Sequence, residues 1–150
     1  MNIFSNLFLL SATISLTLQV IVLLLLVYGY SLKVKSQFLW HGRVMTAAVF
    51  LHLGVILSVM VPSLVLALIP VVILPHALSL ASVVTLLHVP LGVTALSLGL
   101  WLVFSWRFRG GLNGCFTRKK FMLATLTVWS TALSLGIALY FILYWSTLIG

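Results

Sequence analysis

From Val44 to Trp106 the chain runs for 63 residues without a single Lys, Arg, Asp or Glu. A bilayer crossing takes about 20 apolar residues, so this run is too long for one span. Pro62, Pro70 and Pro75 break it. It therefore predicts two helices, over 38–69 and 76–106, joined by a short turn around Pro70-Val-Val-Ile-Leu-Pro75. The uncharged stretches on either side add one helix each, over 7–32 and 121–149. These spans make one transmembrane domain covering residues 1–150. The expected fold is all-α, a polytopic membrane four-helix bundle.

Composition closes off the soluble alternatives. Hydrophobic residues make up 63% of the chain and the mean hydropathy is +1.33, against about 45–50% apolar residues in an ordinary globule. All eight Lys and Arg fall in two clusters, one holding Lys33, Lys35 and Arg43 and the other Arg107, Arg109, Arg118, Lys119 and Lys120. Four spans put both clusters on one side. By the positive-inside rule that side is cytoplasmic, which leaves the N- and C-termini outside and predicts a multi-pass protein of the cell membrane. Tyr28, Tyr30, Trp40, Trp101, Trp106 and Trp145 gather near span ends, where amphipathic rings favour the interface.

Asp and Glu are absent altogether. Glycosidase carboxylate pairs, Ser-His-Asp triads, EF-hands and carboxylate ion relays are therefore excluded, and the chain is not expected to be an enzyme. The eight cations have no side-chain partner within the chain. Anionic lipids and other membrane protein subunits are the expected partners besides the bilayer, and nucleic acid is not. The lone Cys115 can form no intrachain disulfide, and the Gly110-Gly111 loop lacks the Lys-Ser/Thr of a phosphate loop.

Ionisable groups inside a span mark a functional site by default, and here these are histidines. At about 1.5 Å per residue, His52 lies roughly 21 Å from the basic end of the second helix and His88 roughly 27 Å from that of the third. They share a depth near mid-membrane. His41 lies near the basic end, and His76 at the opposite boundary. Helical spacing aligns His41, Met45, Ala48, His52 and Ser63 on helix two, and Ala81, His88, Gly92, Ala95 and Gly99 on helix three, with Ala77 on the same stripe. Met122, Thr125, Trp129, Gly136 and Tyr140 form a matching face on helix four. Pro90 should bend the third helix beside His88.

Two imidazoles at one depth on neighbouring helices suit the axial ligation of a haem, with Gly92 in a groove of small residues and Arg43 and Arg107 as cations for the propionates. Copper is the alternative, because His41, Met45 and His52 offer nitrogen and thioether donors with no hard oxygen ligand among them. Helix packing with no ligand fits the same stripes.

His41-x3-Met45-x-Ala47, then His76, His88-x-Pro90-Leu91-Gly92, and Arg118-Lys119 leading to Thr125, Trp129, Gly136, Tyr140 and Tyr144 resemble a family of small four-helix membrane proteins of unknown function. That family includes a maturation factor of an aa-type cytochrome oxidase. The resemblance covers roughly Lys33 to Tyr144. It implies a metal-handling role for His41, His76 and His88, while His52 rests on the depth argument. Members often carry a further histidine before the last helix, where this chain has Lys119-Lys120. The implied function is a haem-associated protein of a respiratory oxidase system, acting in assembly or as an accessory subunit of electron transport. A copper-handling assembly factor and a structural, non-catalytic subunit are the alternatives.

Overall fold

The computed structural model describes residues 3–108 and 119–149, with side chains described for 9–106 and 120–144. Among these residues there is only helix and turn. The four helices are α1 (Ile3–Val34), α2 (Phe38–Ile73), α3 (Leu80–Phe108) and α4 (Lys119–Ile149). Each contains a segment long and apolar enough to cross a membrane. The all-helical, four-span architecture is thus as the charge spacing predicts. Cys115 and Arg118, and the side chain of Arg107, lie outside the described residues.

The turn between α2 and α3 differs from expectation. Instead of ending at 69, α2 continues through Pro70 to Ile73, and α3 begins at Leu80 instead of 76. The reason lies in how α2 is wound. Residues Ile56–Met60 and Leu64–Ile73 form wide π-turns, separated by an α-turn at Val61–Ser63. Proline cannot donate to the preceding turn, and local π-winding lets a membrane helix reassign the freed carbonyls without stopping. One such bond closes the helix, Leu74 N to Ile69 O at 3.0 Å. His76 and Ala77 consequently belong to the turn and not to α3. Ser82 seals that turn by donating its hydroxyl to the His76 carbonyl at 2.7 Å.

Two packed layers hold the bundle. The first joins Val22, Leu26, Ala48, Val49, Ala95 and Trp129, one or more from every helix, toward the end that carries Lys33, Arg43 and Lys120. Gly99 belongs to this layer, where a Cβ would stand 3.1 Å from Cζ3 of Trp129 and 3.2 Å from Cγ2 of Val49. The second, at the opposite end, packs Ala81, Val84 and Leu139 against Leu68 and Val72 of the π-wound half of α2. Between the layers lies a cavity.

Candidate functional site at the middle of the bundle

The cavity has a volume of about 240 Å³ and receives side chains from all four helices. His52 and His88, the two residues matched by depth, both line it. The α2 and α3 stripes meet at the cavity in part: His52 and Ser63 of one helix and His88 and Gly92 of the other line it.

The hydrogen bonds of the two imidazoles differ. His88 Nδ1 lies 2.8 Å from the carbonyl oxygen of Ala132 on α4. A carbonyl only accepts, so Nδ1 carries the proton and, in the neutral ring, the lone pair is at Nε2. This is the arrangement by which a backbone carbonyl orients a metal-binding imidazole. Gly136 makes it possible, because a Cβ there would stand 3.0 Å from Cε1 of His88. His52 has no hydrogen bond at all among the described residues, and its Nδ1 is sealed from solvent without a partner. Its ring tilts against Trp129 with centroids 4.6 Å apart. The indole Nε1 of Trp129 is likewise buried and unpaired. Such orphaned groups each carry a desolvation penalty of about 1–3 kcal/mol and call for an explanation beyond packing.

The remaining candidates are placed elsewhere. His41 is buried and directs Nδ1 at the carbonyl oxygen of Gly29, 2.7 Å away on α1. Met45 also faces α1, its Sδ 3.2 Å from where a Cβ on Gly29 would be. Neither lines the cavity, so the set His41, Met45 and His52 does not converge on one metal. His76, exposed in the α2–α3 turn, belongs to neither group. Arg43 is exposed at the basic end with its guanidinium 5.2 Å from the Trp40 ring. The layer of Val22, Ala48, Val49 and Trp129 separates it from the histidines.

These positions do not fit a porphyrin. Trp129 fills the groove at Gly99, and His88 itself fills the groove at Gly136. The cavity is smaller than the roughly 300–1,000 Å³ of pockets that take drug-sized ligands. Among the described residues no cation lines it to meet propionates. An ion is a different matter. Among the described residues no three His, Cys, Asp or Glu side chains group together, so any further donor has to be of another type. Met60 supplies one, a thioether on the same cavity wall.

Met60 is the cavity-lining residue that sequence reasoning passes over, and Gln19 lines the cavity beside it. Gln19 is buried and approaches the Met60 sulfur with Nε2 at 3.9 Å. The four-residue spacing of Ser11, Ser15 and Gln19 already marks a polar face on α1. Met60 escapes notice because it closes the π-wound stretch Ile56–Met60, which shifts it off the α-helical register counted from His52. No protein-family model, curated protein or solved structure matches this chain.

Proposed function

We propose that this is a multi-pass membrane protein that holds a soft metal ion, copper(I), between His52 and His88, with the thioether of Met60 as third donor. One observation carries the reading: Ala132 fixes the proton of His88 on Nδ1, leaving Nε2 bare on the wall of a cavity that the unpaired His52 also lines. Nitrogen and thioether donors without a carboxylate select copper(I) over hard cations. The resemblance noted above supplies the setting, maturation of a respiratory haem-copper oxidase, in which the protein carries metal and performs no reaction of its own. The basic end faces the cytoplasm of the cell membrane in this reading, where Lys33, Lys35, Arg43 and Lys120 meet anionic lipid or acidic subunits.

The test is metal content together with the optical spectrum. Protein purified in detergent and loaded with copper(I) under reducing conditions should retain one ion per chain. His52→Ala and His88→Ala should each abolish retention, and His41→Ala should not. A Soret band that survives washing would replace copper with haem. A colourless protein that retains no metal would leave the structural-subunit reading.

A further inference from the structure

An ion accounts for two nitrogens but not for the space around them. One water occupies about 30 Å³ of liquid, and a metal ion needs no more, so most of the cavity's 240 Å³ is left over. Both ends are shut, by the Trp129 layer on one side and by the layer of Ala81, Val84 and Leu139 on the other. On the α1–α4 side the hydroxyls of Thr13 and Tyr140 meet at 2.9 Å. The α2–α3 side is different. Val61 and Val93 line the cavity and yet are 44% and 58% exposed. Next to Val93, nothing stands within 4 Å of a Cβ built on Gly92. The cavity therefore opens sideways, between α2 and α3, at a depth where the surroundings of a membrane protein are hydrocarbon.

Whatever enters there comes from the bilayer and carries an uncharged head, because among the described residues no Lys, Arg, Asp or Glu lines the walls. Phospholipid headgroups are charged and remain at the interface. The volume decides the size of the head. An apolar cavity of about 150 Å³ holds one benzene ring, so this one takes a single substituted ring whose tail leaves through the gap. The histidines decide its hydrogen bonding. His88 Nε2 is an acceptor and requires a donor from the ligand, while the unpaired His52 and Trp129 show that polar partners are missing at this depth.

We infer that the cavity binds a lipid-soluble quinol, entering between α2 and α3 past Gly92 and donating a ring hydroxyl to Nε2 of His88. The oxidised quinone offers only carbonyl acceptors, which the bare Nε2 of His88 cannot use and which the sealed Trp129 Nε1 and His52 Nδ1 do not reach, so it is bound more weakly. This inference does not rest on the copper reading. The two ligands use the same lone pair, so copper(I) and quinol exclude one another.

The experiment is equilibrium binding of decylubiquinol and decylubiquinone to metal-free protein in detergent, by calorimetry. The reduced form should bind roughly tenfold more tightly, the factor that about 1.4 kcal/mol of lost hydrogen bonding gives. His88→Ala should erase that preference. Gly92→Leu adds bulk where a Cβ meets nothing within 4 Å, so it should lose the binding while the melting temperature holds. Equal affinity for both redox forms would overturn the proposal, as would undiminished binding by Gly92→Leu. Equally tight binding of decanol would show that the cavity takes any alkyl chain, which also overturns it. Metal content plays no part in these measurements, so a failure here is separate from a failure of the copper site.

Discussion

Gly136 and His88 occupy one another's space: a methyl group on the glycine would stand 3.0 Å from Cε1 of the imidazole. The same imidazole donates to Ala132 one turn away on α4, so it has no room to retreat without breaking that bond. Gly136→Ala should cost about 1–3 kcal/mol, the usual range for overpacking a tight site. Chemical unfolding in detergent measures this loss, and copper retention should fall with it. A variant of unchanged stability that still holds metal would show that the ring can move freely.

His52 gives the opposite sign. Its Nδ1 is buried without a hydrogen-bond partner, and removing such a group recovers a penalty of about 1–3 kcal/mol. His52→Leu should therefore raise the unfolding free energy by about 1 kcal/mol while abolishing metal binding. A loss of stability would mean that the imidazole has a partner in the membrane-embedded protein.

His41 separates structure from function. Its bond to Gly29 ties α2 to α1 in a buried setting. His41→Ala leaves that carbonyl without its cross-helix donor and opens a small void, which should cost about 2 kcal/mol. Copper retention per folded chain should equal that of the wild type. Loss of metal at full stability would return His41 to the ligand set.

Gly42 seats the indole of Trp106 of α3 near the basic end, and an added Cβ would overlap that ring. Gly42→Ala should destabilise by about 1–3 kcal/mol. The double variant Gly42→Ala/Trp106→Leu should lose less than the two single losses added together, because the residues are in direct contact. Strict additivity would show that the two helices part instead of clashing.

Charge gives a prediction that needs no site. Eight cations and no acids leave the basic end without internal neutralisation. Reconstituted in phosphatidylglycerol vesicles, the protein should melt higher than in phosphatidylcholine, and the difference should shrink with added salt as the Debye length falls from about 10 Å at 0.1 M to 3 Å at 1 M.

Much of this arrangement is legible from spacing alone. The intervals between charges give the number of helices, and counting rise per residue brings His52 and His88 to one depth. The small residues Ala95 and Gly99 fall on the buried face of α3 because their stretch is regular α-helix, where a 3.6-residue period holds. Periodicity fails where winding changes. Pro62 and Pro70 are visible in the sequence, yet whether a proline ends a membrane helix or is absorbed by π-turns depends on its neighbours, and here absorption moves the turn to 74–79 and brings Met60 to the site. Hydrogen bonds between helices are also beyond the reach of spacing. His41 and Met45 share a stripe with His52, but a stripe is wider than one neighbour, and both turn toward Gly29 on α1. The groove of small residues admits two readings as sequence, a bed for a flat ligand or a seat for bulky side chains. Trp129 and His88 occupy the seats.

The layer that joins Val22, Ala48, Ala95 and Trp129 does more than separate Arg43 from the histidines. It insulates. Buried hydrocarbon from all four helices stands between the two imidazoles and the basic end, and carrying a charge across such a stretch is costly.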